Sequence, residues 1–578
     1  MTVDVRPAAP ATRVGWLERL RAPTFAEGLF LATLAALLFL IGPPIFFLLR
    51  GSLSGTRGSA GALNLDAYAA VLGSPSLLSS LTATLVFALL SSVGAIVLGG
   101  LLAWIVERTD APGKQALYAS TFVVFAVPGI IRVVGWIFLL GPRSGYLNEA
   151  ARRVFGDGAT FDVFSMAGMV LVESLFWVPV VFLLMAMPLR SMDPALEEAA
   201  AMSGARPLRV LRSITLRLAL PAVLSVLLLS FVRSIQAFEI PVLLGVPAGI
   251  RVLTTEVYLA VRESLVPRYG TASAYGVLTL GVVLVGLYFY SRVTRDAHRF
   301  ATVTGKGFRP RVQELGPWRY PAAALVFLVV AVQLLPILAL AAVSVSRSIS
   351  TAGSFWTALT LEHYAAVLSS PALLASFRNS LLVGVFAASG AVVLSVLVAW
   401  LMARTRIPGR YALDQLASVP MAFPGVVLGV AFLQTYLTLP IPIYGTIWLL
   451  VVAFAVSFLP YAMRYSYPGI LQIHPELEES AQTSGASWWR TFTRIVVPLL
   501  FPALFGGWIF IFLITVRELS IAALLYTQQS QVVATTILDL WVNGSTSQLS
   551  AFAMVVIGVM TPLSMLLYRL SRRFGVQL

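Results

Sequence analysis

Twelve apolar runs, each long enough to cross a hydrocarbon core of about 30 Å, divide this 578-residue chain. Six fall in the first half, at about 28–50, 81–105, 117–140, 165–188, 219–244 and 274–291. Six follow, at about 321–344, 376–402, 412–438, 445–467, 498–525 and 551–570. The runs lack the alternation of barrel strands and are too long for it, so helices are the spanning element. Only 11% of the residues are charged and 58% are hydrophobic, against about 25% charged in soluble domains. The chain therefore reads as an all-α integral membrane protein held in a lipid bilayer.

The net charge of +15 raises the question of a nucleic-acid partner, and its distribution answers no. With the N-terminus inside, 25 Lys and Arg lie in the inner segments and 8 in the outer ones. That is the positive-inside signature, and it places both termini in the cytoplasm. The polar segment 1–27 carries Arg6, Arg13, Arg19 and Arg21 and leads straight into a full-length run, so it reads as a retained start rather than a signal peptide. The absence of cysteine excludes disulfides, thiolate metal sites and thiol catalysis.

The sequence is written twice. "LNLDAYAAVLGSPSLLSSL" (63–81) returns as "LTLEHYAAVLSSPALLASF" (359–377), and "AWIVERTDAPGKQAL" (103–117) as "AWLMARTRIPGRYAL" (399–413). Trp104/Trp400, Arg108/Arg404, Pro128/Pro424 and Gly129/Gly425 are all 296 apart. The offset then drops to 281 for Gly204/Gly485, Pro221/Pro502, Ile240/Ile521 and Thr254/Thr535. The missing residues localise to the loop after the third run, long at 141–164 and short at Pro440–Tyr444. An even number of spans per copy gives the two repeats the same orientation. The expected domains are 1–27, a cytoplasmic segment; 28–291 and 321–578, two tandem six-helix repeats in parallel orientation; and 292–320, a basic cytoplasmic linker containing "GKGFRPR".

One small polar element occurs in both repeats on the cytoplasmic side. It reads Glu197-Glu198-Ala199-Ala200-Ala201-Met202-Ser203-Gly204 in one and Glu478-Glu479-Ser480-Ala481-Gln482-Thr483-Ser484-Gly485 in the other. Two carboxylates suit the positive end of a short helix, small residues allow close approach, and Gly closes the helix. A basic amphipathic segment follows each, "PLRVLRSITLR" (207–217) and "SWWRTFTRIVVP" (487–498). For one copy an ordinary capped loop is the simplest reading; two copies in equivalent positions point to a docking device.

Glu198-Ala199-Ala200, three residues, then Gly204 resembles the "EAA…G" signature of bacterial ABC importer permeases. The second copy, with Gly485, Ile495, Val497 and Pro498, is similar to it and departs at Ser480, where the family usually has Ala. The first copy has Ile214 and Leu216 but Arg217 in place of the family's Pro, so the way into the next helix is expected to differ. The resemblance covers nearly the whole chain, twice, and looks like a fused pair of permease subunits similar to the ferric-iron importer permeases. It implies a type I ABC importer-like fold of about 12 transmembrane helices in the bacterial inner membrane. It also implies two separate ATP-binding-cassette ATPase subunits, docked at Glu197, Glu198, Ala199, Ala200, Gly204 and at Glu478, Glu479, Ser480, Ala481, Gly485. A periplasmic substrate-binding protein would deliver the cargo, meeting the outward loop 526–552. The chain shows no phosphate-binding loop of its own, and Gly305-Lys306 lacks the rest of that motif.

Ionisable side chains inside spans are costly and mark function by default. Arg132, Glu173, Arg233, Glu239, Arg517 and Glu518 are the candidates for a translocation pathway, with structural pairing as the competing role. Arg378 and Arg464 lie near span ends and read as snorkelling. Arg233 and Glu239 are six apart in the fifth run, and Arg517-Glu518 fall at similar depth in the eleventh. Pro128, Pro179, Pro241, Pro424 and Pro460 point to broken helices lining a cavity. His298, His363 and His474 form no metal-ligand spacing, and no nucleophile–base pattern is visible, so neither a catalytic site, a metal site nor a cofactor is expected. Ferric iron is the cargo the resemblance favours; sulfate, phosphonate, a polyamine or thiamine stay open. An ion-coupled secondary transporter is a different class consistent with duplicated helical halves.

Overall fold

Apolar stretches of this length satisfy their backbone internally only as helices, and the described residues of the computed structural model hold twelve α-helices in each repeat, short connecting ones included. The described residues are 25–55, 63–156, 158–192, 195–205, 207–263, 265–297, 313–347 and 359–573. The first repeat runs α1 (Phe25–Ser52), α2 (Asp66–Leu72), α3 (Pro75–Arg108), α4 (Lys114–Ala126), α5 (Gly129–Leu140), α6 (Tyr146–Phe155), α7 (Met166–Ser191), α8 (Ala195–Met202), α9 (Pro207–Val210), α10 (Leu216–Ile235), α11 (Leu253–Arg262) and α12 (Tyr269–Ala297). The second runs α13 (Arg319–Ser344), α14 (Glu362–Ser369), α15 (Pro371–Arg404), α16 (Arg410–Ser418), α17 (Gly425–Thr438), α18 (Ile447–Gln472), α19 (Glu476–Thr483), α20 (Trp488–Thr491), α21 (Val497–Arg517), α22 (Ala522–Leu525), α23 (Val533–Val542) and α24 (Thr546–Arg573). Among the described residues there is no strand, only the isolated bridges Thr109–Gln313 and Ser346–Leu359.

Among the described residues ten helices are long and apolar enough to cross a membrane, and they coincide with ten of the twelve expected runs. The other two, the third of each repeat, are bent pairs: Lys114–Val124 with Gly129–Leu140, and Arg410–Ala422 with Gly425–Thr438, each turning by 109°. The cause is local. A proline disfavours helical geometry at the residue before it, and Val127 and Phe423 sit in the extended region (ψ 128° and 131°). Pro128 and Pro424 follow at ψ 141° and 143°, and a new helix starts at Gly129 and Gly425. The fifth and eleventh spans begin and end earlier than expected, at Leu211–Ile235 and Trp488–Arg517.

Segments 245–273 and 526–552, expected as outward loops, instead contain the buried ten-residue helices α11 and α23. A helix that short escapes a span-length hydropathy reading. Both start on the same device: the hydroxyls of Thr255 and Thr535 accept from the N–H of Val252 (2.9 Å) and Val532 (3.0 Å). Thr84 and Ser380 on α3 and α15 then accept from the N–H of Leu253 (2.9 Å) and Val533 (2.7 Å). The repeat register here is 280, so Thr255, not Thr254, is the counterpart of Thr535.

Small residues set the packing. α3 buries the small residues Ser80, Thr84, Ala88, Ser91, Ser92, Ala95 and Gly99 and packs on α7, where Ser174 Oγ donates to Ser91 O (3.1 Å). A Cβ at Gly99 would stand 2.8 Å from Val181, so only glycine allows that approach. α15 meets α18 in the same way, with Ser395 and Ser466 joined at 2.7 Å. Large apolar side chains such as Leu85, Leu89, Leu90 and Val97 point outward, as a lipid-facing surface requires. The repeats are interleaved: α1 packs on α12 but also on α17 of the other repeat, while α13 packs on α24 and on α4 and α5.

Candidate functional site

The paired acidic elements are the helices α8 and α19, each ending on a left-handed glycine, Gly204 (φ 79°) and Gly485 (φ 83°). Ala205 N–H donates to Ala200 O (3.0 Å) and Ala486 N–H to Ala481 O (2.9 Å), the same six-to-one closure in both copies. Both glycines, with Ala199, Glu479 and Ser480, are exposed, while Glu198, Ala200 and Ala481 are half-buried. The first glutamate of each element behaves differently. Glu197 is 3% exposed and Glu478 6%, and neither faces outward.

Each turns back to an arginine at the end of the second span. Arg108, itself fully buried, pairs with Glu197 and reaches the carbonyls of Leu189 (3.5 Å) and Met192 (3.4 Å). Arg404 donates to Glu478 Oε1 (2.7 Å) and to the carbonyls of Ile470 (3.1 Å) and Ile473 (2.6 Å). One guanidinium thus satisfies the orphan carbonyls ending α7 or α18 and holds the carboxylate of the short helix beyond it. The remaining partners differ. Glu197 accepts from Thr215 Oγ1 (2.6 Å) and Gln313 Nε2 (3.2 Å), and Glu478 from Trp400 Nε1 (3.1 Å).

Gln313, within the linker 292–320, is bonded into the bundle. Its N–H donates to Arg108 O (2.8 Å), its carbonyl accepts from Asp110 N–H (3.2 Å), and Asp110 Oδ1 accepts from Leu315 N–H (2.9 Å). The linker's "GKGFRPR" and most of segment 1–27 lie outside the described residues. Two membrane-length helices, α13 and α15, separate Gln313 from Arg404, so α8 and α19 share one face. Both elements also lead into their next span through a π-helical turn, Leu211–Thr215 and Phe492–Val496. Arg217 in place of Pro498 therefore leaves that approach unchanged, contrary to expectation.

The interior charges meet where the helices break. A Cβ at Gly129 would collide with the carboxylate of Glu239, and one at Gly425 would stand 2.8 Å from Ser520 Cβ and 3.2 Å from Glu518 Oε1. The bends after Pro128 and Pro424 thus receive the irregular segments that follow α10 and α21. Between them lies a cavity of ≈ 180 Å³ lined by Glu173, Gln236, Glu239 and Ser520, with Phe176 and Phe238. Glu173 accepts from Trp177 Nε1 (2.9 Å) and Ser234 Oγ (2.9 Å). Arg132 stacks on Phe176, its guanidinium carbon 3.7 Å from the ring centre, outside the cavity lining.

The other candidates have partners of their own. Arg233 donates to Gln236 Oε1 (3.2 Å) and, across the repeat boundary, to the Tyr461 hydroxyl. Glu518 caps the turn after α21, accepting from the N–H of Ser520 and Ile521, both at 3.0 Å. Arg233 and Glu239 do not share a helix face, since α10 ends between them. Nor are the charges symmetric: at the 281 offset Arg517 and Glu518 stand at the places of Gln236 and Ala237, and Glu239 at that of Ser520. Arg378 and Arg464 are exposed. His363 Nε2 lies 3.1 Å from Ser346 O, His474 is exposed 3.5 Å from Glu476, and His298 lies outside the described residues.

Sequence reading missed Glu256, a buried acid on α11 accepting from Ser80 Oγ (2.9 Å), because its ten-residue helix is too short for a span-length hydropathy pattern. It also missed the fold of the extra loop after α5. There Asn148 on α6 donates to the carbonyls of Leu140 (2.9 Å), Gly141 (3.1 Å) and Phe161 (2.8 Å) and accepts from Phe161 N–H (2.9 Å). On the same helix the hydrogen bond from Arg152 holds the Glu149 carboxyl below the usual carboxylate range.

The family model described as "Binding-protein-dependent transport system inner membrane component" matches residues 95–299 and again 391–576. The chain is 26% identical over 437 residues to the "Putative ferric transport system permease protein FbpB 1" of Haemophilus influenzae, covering 75% of this chain and 68% of that one. It is 25% identical over 570 residues to the "Probable ABC transporter permease protein y4fN" of Sinorhizobium fredii, covering 95% and 96%. A shorter match, 32% over 160 residues, is to the "Sulfate transport system permease protein CysT" of Escherichia coli, covering 26% and 57%. With the model matched once in each helical repeat, the chain belongs to the binding-protein-dependent transport system inner membrane components, as two permeases fused in one polypeptide.

Proposed function

We propose that this permease moves ferric iron, released by a periplasmic binding protein, through the cavity between its two repeats. The domains 28–291 and 321–578 form the two halves, and the face carrying α8 and α19 lies in the cytoplasm with both termini. Two ATPase subunits dock there, one against the exposed side of each short helix, from Glu198 to Gly204 and from Glu479 to Gly485. Closure of that pair rocks the halves, so that the cavity opens alternately to each side. Hydrolysis belongs to those subunits, and this chain contributes the moving walls.

The observation that carries the cargo reading is the pair of carboxylates, Glu173 and Glu239, lining the cavity with Ser520. Oxygen ligands suit a hard cation. Two carboxylates and a hydroxyl are few enough to let the ion leave, as passage requires. The likeness to a ferric permease over three quarters of the chain supports the same cargo. A second reading, an oxyanion such as sulfate, draws on Arg132 beside the cavity and on the shorter sulfate permease match.

The test is uptake by proteoliposomes holding the chain, its co-purifying ATPase subunits and the binding protein. ATP-dependent accumulation of radioactive iron is the expected result. Accumulation of labelled sulfate in its place would transfer the assignment to the anion, and uptake without ATPase subunits would place the chain among ion-coupled carriers.

A further inference from the structure

Glu197 and Glu478 stand first in their elements, yet each is buried against the bundle. A buried carboxylate is costly unless paired and hydrogen-bonded, and both repeats meet that cost with the same arginine at the end of the second span. The arginine joins three elements. Arg404 is the last residue of α15, its Nη2 holds the carbonyls of Ile470 and Ile473 at the end of α18, and its Nε holds Glu478 on α19. Arg108 does the same for α3, the end of α7, and Glu197 on α8. α3 and α7, like α15 and α18, pack against each other, so each pair can move as one body. Residue 193 and its neighbour lie outside the described part of the first connection. In the second, only Ile473, His474 and Pro475 separate α18 from α19, and His474 and Pro475 are exposed.

We propose that Arg108–Glu197 and Arg404–Glu478 are transmission joints. They are positioning pairs that make each docking helix rigid with the second and fourth spans of its own repeat, so that displacement of the helix becomes displacement of the cavity wall. The exposed side of the helix faces the ATPase and the buried glutamate faces the joint, which gives the two adjacent glutamates of each element separate tasks. The inference rests on the docking reading above.

The chain has no cysteine, so single cysteines report cleanly. Ser484→Cys, exposed on the second element, reads docking by cross-linking to the ATPase subunits. Ser520→Cys, in the cavity lining, reads transmission through its rate of maleimide labelling with and without ATP plus vanadate. Glu197→Gln with Glu478→Gln keeps the shape and leaves each arginine its carbonyl partners. With the native joints, the labelling rate should change about tenfold on trapping. In the double Gln variant the cross-link should persist while that change falls to about twofold or less. A full labelling response in the variant overturns the joints. Loss of the cross-link in a variant that still elutes as folded protein also overturns them, because the pairs would then set docking itself. Failure of Ser484→Cys to cross-link beside native joints instead removes the docking reading, and is recognised before any variant is made.

Discussion

The two joints hold the same ion pair with different assistance. In the first repeat the carboxylate of Glu197 keeps two further donors, Thr215 from the π turn and Gln313 from the linker. In the second, Glu478 has one, the indole of Trp400, and the Trp104 indole nitrogen in the equivalent place has no partner. What both copies retain is the arginine, its two carbonyls and the glutamate. The helpers vary because any donor of suitable reach satisfies a carboxylate oxygen, whereas only a guanidinium spans a carboxylate and two carbonyls at once.

The largest expected effect is on stability. Arg404→Ala leaves Glu478 buried with a single donor and frees two carbonyls, a loss of about 3–5 kcal/mol. Arg108→Ala should cost less, because Glu197 keeps two donors; thermal unfolding in detergent measures both. Equal losses would mean that the helpers count for nothing.

The glycines at the bends give the next contrast. Gly425→Ala meets the Cβ of Ser520, which cannot swing away, and should destabilise by about 1–3 kcal/mol. Gly129→Ala meets the mobile end of Glu239, so it should cost less stability but displace the carboxylate from the cavity and depress transport more. Stability and uptake measured on both variants test this crossing over, and parallel losses in both would break the comparison.

The smallest effect is that of Gln313→Ala, which removes one hydrogen bond to Glu197 and should cost about 1 kcal/mol. It leaves each joint with one helper, so that Arg108→Ala then costs as much as Arg404→Ala, and adding Thr215→Val should make the loss at Arg108 the larger of the two. A double-mutant cycle reads that coupling.

Much of this architecture was legible in the residues, and the failures have physical causes. Span positions follow from hydropathy, which is local. The bends at Pro128 and Pro424 were legible as breaks but not as reversals of direction, which depend on the segment received by the neighbouring glycine. Glu197 and Glu198 look alike in sequence. Which one turns inward is decided by Arg108, 89 residues earlier. The match of Thr254 to Thr535 failed by one residue because the repeat register slips between α10 and α11. Pro498 and Arg217 differ in sequence, yet in both repeats the helix runs on unbroken from the π-helical turn before them, where Val497 N–H donates to Phe492 O and Leu216 N–H to Leu211 O.

The crossed packing of α1 on α17 and of α13 on α5 has a consequence for assembly. Each repeat lends its opening arm to its neighbour, so severing the linker should leave two fragments that stay clasped. The peptide connection then matters at birth rather than in service: it guarantees that a carboxylate-bearing bundle always meets a serine-bearing one, and never its twin.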